Sequence, residues 1–587
     1  MTDRATATAP TETRLVPVVK SLFSGEIPED TVFPFPEIDA SERETMSAFL
    51  DSFRSYAKDH IDSARIEREH RVDPGVIRGL AELGVFGMAI PETYGGYGFS
   101  ASAYCRATEE IGRTDAALGI LIGGHQSIGL KGLLLYGNEE QKKKWLPKLA
   151  AGDMIAAFAL TEPEAGSDAA SIRTTAVYDE KTNEFVVNGT KHWISNGGFA
   201  EFFTVFAKDV KLDAKDEHRR VTAFVVTKDL GGVTPGKEER KLGLKGSSTV
   251  PIELENVRVP AFNVLGERGN GFRIAVEILN TGRTSLAAGC IGGSKVMLRE
   301  AARHATQRKQ FQTKIAEFEM IRAKFSRMVV STYALESMVY LTAGLIDRGL
   351  EDYSLEGACC KIFGTEAVWR NINDALQIAG GNGFMEEYPY EKALRDSRIN
   401  MIFEGTNEIL RVLVALSGMR DVGEDLKEVG RALKAPLSSL GILSEYAAKK
   451  FKGAVTPGRL TKIAPELAAQ GDIVGRYARA ANGAVETLLR KYGKGVIAKE
   501  YHQERLANVA IDLYACLAVL SRATAATERL GAEKASDEIR VAKTFVEGAK
   551  YRMVGHLKEM DKNRDAEQTA ISESAYSALG YAFSLWE

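Results

Sequence analysis

The spacing of apolar residues changes character along the chain. From residue 41 to 157 it follows a helical period: Val76, Ile77, Leu80 and Leu83 share one helix face before the Pro-Glu-Thr-Tyr-Gly-Gly run at 91–96 breaks it. From 158 to 268 it shortens to alternating runs at 174–178, 184–188, 202–207, 221–227 and 250–257, separated by Asp, Asn, Lys and Gly. Helical spacing returns over 269–425 and continues to 587, interrupted at Pro436 and at Thr456-Pro457-Gly458. The pattern predicts a mainly α fold with a central small β-barrel or sandwich. Its expected parts are a loose tail at 1–40, a helical domain at 41–157, a β domain at 158–268, a helical bundle at 269–425 and a C-terminal helical domain at 426–587.

A chain of 587 residues is too long for one core, which agrees with several domains. A formal charge of -3 leaves no basic footprint for nucleic acid. Cys105, Cys290, Cys359, Cys360 and Cys516 are few, odd in number and without CxxC spacing, so they read as buried packing residues in a reducing compartment. No HExxH is present, so no metal is expected, and His125 and His192 read as hydrogen-bonded structure. No unbroken run of 18 apolar residues predicts a transmembrane segment. The first 30 residues lack an apolar signal core, which makes a cytoplasmic location the expectation. Asp3 and Glu12 among Arg4 and Arg14 count against a transit segment to the mitochondrial matrix.

The chemistry concentrates at 399–411, where an apolar run delivers Glu404 and Gly405 just before a helix. Thr406 reads as its N-cap and Glu408 lies in its first turn, where the helix dipole favours an anion. Ile409, Leu410, Leu413 and Val414 form the apolar face, and Gly418 is expected to end the helix. Burial against Ile402 and Phe403 would raise the pKa of Glu404 and the helix N-terminus would lower it, the setting of a tuned general base. GxGxxG is absent. The near-Walker run Gly231-Gly232-Val233-Thr234-Pro235-Gly236-Lys237 has Glu238 where Ser or Thr would be required, so it reads as a strand turn.

Three further segments accompany Glu404 in a fixed order: Phe-Ala-Leu-Thr-Glu-Pro-Glu-Ala-Gly-Ser-Asp at 158–168, Lys-His-Trp-Ile-Ser-Asn-Gly-Gly at 191–198 and Gln-Ile-Ala-Gly-Gly-Asn-Gly-Phe at 377–384. Together they resemble the acyl-CoA dehydrogenase family from about residue 45 to residue 420. The helical region beyond resembles the long-chain and very-long-chain branch of that family. The resemblance implies a helical domain, a β domain, a helical bundle and an extra C-terminal helical domain, with FAD as cofactor.

The first segment offers hydroxyls and backbone amides suited to a flavin edge and a pyrophosphate, and the resemblance assigns Phe158, Leu160, Thr161, Gly166 and Ser167 to FAD. Trp193 and Ser195 alternate along a strand and so share a side, where an indole can wall the isoalloxazine and a hydroxyl can bond its edge. Many relatives have Thr where Ser195 stands, which keeps the hydroxyl. By resemblance, Arg308, Gln310 and Phe311, with Gln377 and Gly381, reach the FAD of a neighbouring subunit, which implies a homodimer or homotetramer. Thr406 and Glu408 complete the expected cofactor set.

Ser167, Asn280, Arg283, Phe403 and Gly405 match positions on the acyl-CoA, although Arg283 equally suits a structural salt bridge. Gly123 and Gly124 stand where medium-chain relatives carry larger side chains, so the pair either opens the base of the acyl pocket to a longer tail or allows close helix packing. The implied activity is α,β-dehydrogenation of a long-chain fatty acyl-CoA to trans-2-enoyl-CoA in fatty acid β-oxidation. Glu404 would take the α proton, flavin N5 the β hydride, and electron-transfer flavoprotein the electrons. An acyl-CoA oxidase shares the same motifs. A non-catalytic flavin-binding assembly protein is the third reading, against which the presence of Glu404 speaks.

Overall fold

A computed structural model describes residues 15–212, 215–434 and 460–586, so Pro436, the turn at 456–458 and residues 1–14 lie outside the described residues. The chain forms two compact units, Phe35–Ile409, and Met1–Pro34 with Leu410–Glu587.

In the first unit, helix α1 (Ala101–Thr114) starts where Ser100 Oγ accepts from the Ala103 amide at 3.2 Å. Asp115 ends it and caps α2 (Ala116–Gly123) through the amides of Ala117 and Leu118. A π-helical turn, Gly124–Gly129, then leads into α3 (Lys131–Tyr136).

The β domain comprises β1 (Ala156–Ala159), β2 (Thr175–Asp179), β3 (Glu184–Ser195), β4 (Phe202–Asp209), β5 (Val221–Thr227), β6 (Val233–Pro235), β7 (Thr249–Pro260) and β8 (Val264–Leu265). Their pairing follows the order β6-β7-β3-β2-β4-β5-β8, with β1 parallel to β4. Among the described residues no pairing joins β6 to β8, so the strands make an open sheet where a barrel was one expectation. β4 and β5 are buried on both faces, which is why their sequences read as continuous apolar runs. Phe203, Val205, Phe224 and Val226 pack among the strands, while Phe202, Phe206 and Val225 turn to Trp145, Leu149, Ile274 and Ile278 of the helices. This second face fixes the sheet against the helix that carries the site.

That helix is α4 (Gly271–Gln307), bundled with α5 (Glu319–Asp347) and α6 (Ser354–Ala379). α4 approaches α1 closely at Gly112 and Gly289, where a methyl on Gly112 would lie 2.7 Å from the Gly289 carbonyl. Three stretches, Ala116–Tyr136, Glu319–Asp347 and Glu500–Leu530, are long and apolar enough to cross a membrane by length and composition, although none is an unbroken apolar run. Their apolar windows are 61%, 67% and 89% buried inside the protein, so packing takes up most of that apolar surface.

Helix α7 (Asn407–Lys434) begins in the first unit and continues into the second. It does not end at Gly418 as expected: that glycine lies under the Phe23 ring, and a methyl there would overlap it, so its small size serves helix packing. The second unit also holds α8 (Ala468–Tyr492), α9 (Glu500–Leu530), α10 (Ser536–Lys558) and α11 (Asp565–Ser577). The expected loose tail is corrected from Val18 onward. Val18–Phe23 is a helix whose Val18, Val19, Leu22 and Phe23 are buried, with the Phe23 carbonyl accepting from Asn482 Nδ2 at 3.0 Å. Alternation of those apolar residues with Lys20 and Ser21 in a short segment hid the pattern from the sequence.

Candidate functional site

Glu404 lies between a short helical turn, Ile399–Met401, and the start of α7, with φ at 56° followed by Gly405 at 92°. Two consecutive left-handed residues turn the chain sharply and aim the Glu404 side chain at α4. Its carboxylate lies over Gly282, where a methyl would stand 2.9 Å from Oε2 and 3.1 Å from Oε1. The residue keeps some exposure, yet Oε2 is out of solvent reach and has no hydrogen-bond partner. Burial pushes the pKa of Glu404 up to about 7, against the opposing pull of Arg283 and Lys361. A buried carboxylate with a vacant lone pair and a pKa near neutrality is equipped to take a proton from a neutral carbon acid. Thr406 Oγ1 accepts from the Ile409 amide at 3.3 Å, the expected cap of α7, and Glu408 is exposed in its first turn.

Arg283 and Asn280 share α4 with Gly282. Arg283 is buried, donates from Nε to the Glu404 carbonyl at 3.3 Å and from Nη1 to Asn280 Oδ1 at 2.7 Å. Burial lowers its pKa to about 10, with Glu404 opposing. The first of these bonds holds the Glu404 backbone. Asn280 and Phe403 remain part-exposed beside the carboxylate loop.

Sequence reasoning missed Lys361. Its buried ammonium donates to the Gly405 carbonyl at 2.8 Å and to Asn407 Oδ1 at 2.9 Å, and burial lowers its pKa to about 8 despite Glu404. A lysine in the apolar stretch of α6 between Cys360 and Ile362 was the available signal. Also missed was a hydroxyl chain behind the site. Tyr104 Oη and Ser127 Oγ are 2.8 Å apart, Ser127 Oγ and Ser285 Oγ 2.9 Å, and Ser285 Oγ donates to the Gly282 carbonyl at 3.0 Å.

A second group gathers on the β domain. The loop after β1 carries part-exposed Thr161, exposed Gly166 and Ser167, and buried Leu160, with Phe158 on β1 itself. The Thr161 carbonyl accepts from the His192 amide at 2.8 Å, which ties this loop to the end of β3. Beneath them the buried Lys191 Nζ donates to Glu162 Oε1 at 2.7 Å and to the Leu160 carbonyl at 3.2 Å. Burial raises the Glu162 carboxyl, but Lys191 and the Thr174 and Arg173 amides outweigh it and leave the group below its ordinary value. The expected alternation of Trp193 and Ser195 is broken: a bulge between Lys191 and Ile194 gives Trp193 a φ of 55° and leaves its indole 59% exposed, while Ser195 is only part-exposed. The bulge follows from burying both Lys191 and Ile194, which lie at opposite strand parities.

Gly124 is buried against the end of β3, where a methyl would meet Asn196 Nδ2 at 3.1 Å and Ser195 Cβ at 3.6 Å. That contact lets the π-turn touch the strand. Gly123 differs, since a methyl there would meet only Ser127 Oγ, at 3.9 Å. His125 is structural, with Nε2 at 3.1 Å from the Leu149 carbonyl and Nδ1 accepting from the Ala156 amide at 2.9 Å. All five cysteines are free and buried.

Arg308, Gln310 and Phe311 form a separate, exposed group. β9 (Lys309–Gln310) and β10 (Thr313–Lys314) make a hairpin whose turn is Phe311 at φ 50° and Gln312 at φ 62°, with the Phe311 ring 91% exposed. Gln377 and Gly381 are exposed at the end of α6.

The chain matches the acyl-CoA dehydrogenase N-terminal, middle and C-terminal domains at residues 43–153, 157–257 and 269–419, and the ACAD9/ACADV C-terminal domain at 465–579. It is 41% identical over 529 residues to the very long-chain specific acyl-CoA dehydrogenase, mitochondrial, of Rattus norvegicus, covering 89% of this chain and 81% of that one. Its fold resembles the acyl-CoA dehydrogenase complexed with FAD from Bacillus anthracis, with a TM-score of 0.80, 32% identity and 94% of each chain covered. The structure of the electron transferring flavoprotein of Acidaminococcus fermentans matches with a TM-score of 0.62 and 32% identity, over 65% of this chain and 99% of that one. The chain belongs to the acyl-CoA dehydrogenase family.

Proposed function

We propose that this protein is an FAD-dependent acyl-CoA dehydrogenase that converts a long-chain fatty acyl-CoA to its trans-2-enoyl-CoA and passes the electrons to an electron-transfer flavoprotein. The observation that carries the reading is the Glu404 carboxylate, desolvated, unpartnered at Oε2 and seated over Gly282.

The β-domain surface fits FAD. An indole held out by a left-handed bulge, the Ser195 hydroxyl and a loop with open space at Gly166 offer a flat apolar wall and polar edges. When bound there, FAD supplies the hydride acceptor. Phe158, Leu160, Thr161, Ser167, Trp193 and Ser195 would hold it. Glu404 takes the α proton of the thioester, and its neutral pKa suits that transfer at working pH. Arg283 and Lys361 fix the Glu404 loop by its carbonyls and, by favouring the ionised carboxylate, limit how far burial raises its pKa. The exposed Arg308, Gln310 and Phe311, with Gln377 and Gly381, would complete the FAD site of a second subunit, so the active form is a homodimer or homotetramer.

Anaerobic titration of the flavin-loaded protein with acyl-CoAs of increasing length tests the reading. Bleaching of the flavin by long-chain thioesters is expected. Slow return of colour on admitting air marks a dehydrogenase, fast return an oxidase, and no bleaching with any thioester would sink the proposal.

A further inference from the structure

The π-helical turn Gly124–Gly129 meets α4 through two successive residues. Ser127 Oγ and Ser285 Oγ lie 2.9 Å apart, and Ile128 Cγ2 stands 3.0 Å from where a methyl on Gly282 would lie. Gly282 and Ser285 are three residues apart on α4 and so share one face, which makes the hydroxyl pair an anchor that keeps Ile128 over Gly282. Gly129 sets the turn from behind: a methyl there would meet the Gly124 carbonyl oxygen at 2.5 Å and the Ala156 backbone at 2.9 Å.

The point over Gly282 that Ile128 reaches is the point that Glu404 reaches. A methyl there would meet Glu404 Oε2 at 2.9 Å, Ile128 Cγ2 at 3.0 Å and Glu404 Oε1 at 3.1 Å. The isoleucine methyl and Oε2 are therefore within about 6 Å of each other, less than a hydrogen-bonded water placed between them would span. Oε2 is accordingly out of solvent reach and takes no hydrogen bond. The neighbours of Glu404 in sequence give little of this cover, since Ile402 is 47% exposed and Phe403 is part-exposed. It comes instead from the π-turn and from α4.

The titratable groups around the carboxylate come from four helices. Arg283 on α4 and Lys361 on α6 bond the loop carbonyls and favour the ionised form. Tyr104 on α1 is buried, which pushes its hydroxyl up to about 12 with Glu404 adding to the rise, so it stays neutral at working pH. Glu408 is exposed in the first turn of α7. Both cations pull Glu404 toward its charged form, so exclusion of water is what opposes them. Resting on the acyl-CoA reading above, we propose that Ile128 is a positioning residue for the base: its Cγ2 methyl keeps water off Glu404 Oε2, so that the lone pair stays open to the α proton of the thioester.

The pH dependence of flavin reduction by a long-chain acyl-CoA tests this, read beside urea midpoints that need no substrate. Ile128→Val keeps both branches apolar and should leave the rising limb of the flavin-loaded enzyme within roughly 0.3 pH unit of wild type. Ile128→Thr is close to valine in shape but brings a hydroxyl, and Ile128→Ala opens room for water. Each should move the limb to lower pH by about one unit or more with flavin content held. Urea midpoints are compared for each protein with and without Glu404→Gln, from the ordinary 4.5 to about 7. The extra fall due to Glu404 should shrink in Ile128→Thr and Ile128→Ala, because the folded protein then holds that proton over a narrower range. Slower reduction with an unmoved limb would make Ile128 a wall for the acyl chain only, and an equal shift in Ile128→Val would point to packing; either overturns the proposal. An undiminished urea difference in Ile128→Thr would overturn it as well. If no thioester reduced the wild-type flavin, the acyl-CoA reading would fall, while the urea series would still decide what Ile128 does to Glu404.

Discussion

The carboxylate of Glu404 occupies the space that a side chain at Gly282 would fill, with the site of a methyl 2.9 Å from one oxygen and 3.1 Å from the other. Gly282→Ala therefore has to displace the base. A shift of about 1 Å in a reacting group costs on the order of a hundredfold in rate. We expect flavin reduction by acyl-CoA to fall by roughly that factor with FAD content unchanged. Stopped-flow reduction within about threefold of wild type would mean that the carboxylate relaxes without cost, and that its contact with α4 is incidental.

Glu404→Gln keeps the shape and removes the proton acceptor, so reduction should fall by more than about a hundredfold while ligand binding persists. The raised pKa also predicts a stability difference. Between the ordinary 4.5 and about 7 the folded protein holds a proton that the unfolded chain has released. This contribution to stability is fully present below 4.5 and is lost as pH rises through about 7. Urea midpoints across that window should fall with pH more in wild type than in Glu404→Gln. Parallel curves would place the pKa of Glu404 at its ordinary value. In the wild type, flavin reduction should rise through about pH 7 as the base ionises.

Lys361 favours the ionised form of Glu404 and holds the loop through Gly405 and Asn407. Lys361→Met removes both effects. The rising limb of the pH profile should move to higher pH, and stability should fall by about 1–3 kcal/mol because a buried carbonyl and an amide oxygen lose their donor. Destabilisation with an unmoved limb would make Lys361 a purely structural clasp.

Much of this arrangement was legible in the sequence because it rests on local signals. Short apolar runs between turn residues located five strands to within a few residues, including β4 and β5, which are buried on both faces, although the reading stopped β3 at 188 when the strand runs to Ser195. Thr406 before an apolar period located the start of α7. The misses have one cause, which is tertiary contact acting on a small or polar residue. Gly418 looks like a helix end until Phe23 is known to lie on it, and Lys361 looks like any helix lysine until the Gly405 carbonyl arrives from 44 residues away. The bulge at Trp193 is set by burial of Lys191 beside Glu162 from another loop. The Phe311-Gln312 turn takes left-handed residues without the Gly or Asn that would have announced it.

Chain-length preference separates the two glycines at the end of α2. Gly124 touches Asn196 and Ser195, so Gly124→Leu drives a side chain into the end of β3, where the hydroxyl expected at the flavin edge resides. It should depress turnover of C8 and C16 acyl-CoA alike and disturb the flavin spectrum. Gly123 faces nearly open space, and Gly123→Leu adds bulk where an acyl tail is expected to run. Each methylene denied burial costs about 0.8 kcal/mol, so exclusion of only two or three of them lowers kcat/KM for the longer substrate by roughly tenfold or more. Gly123→Leu should therefore reduce the C16 value far more than the C8 value and leave the flavin spectrum as in wild type. Equal losses on both thioesters would show that the tail does not pass Gly123.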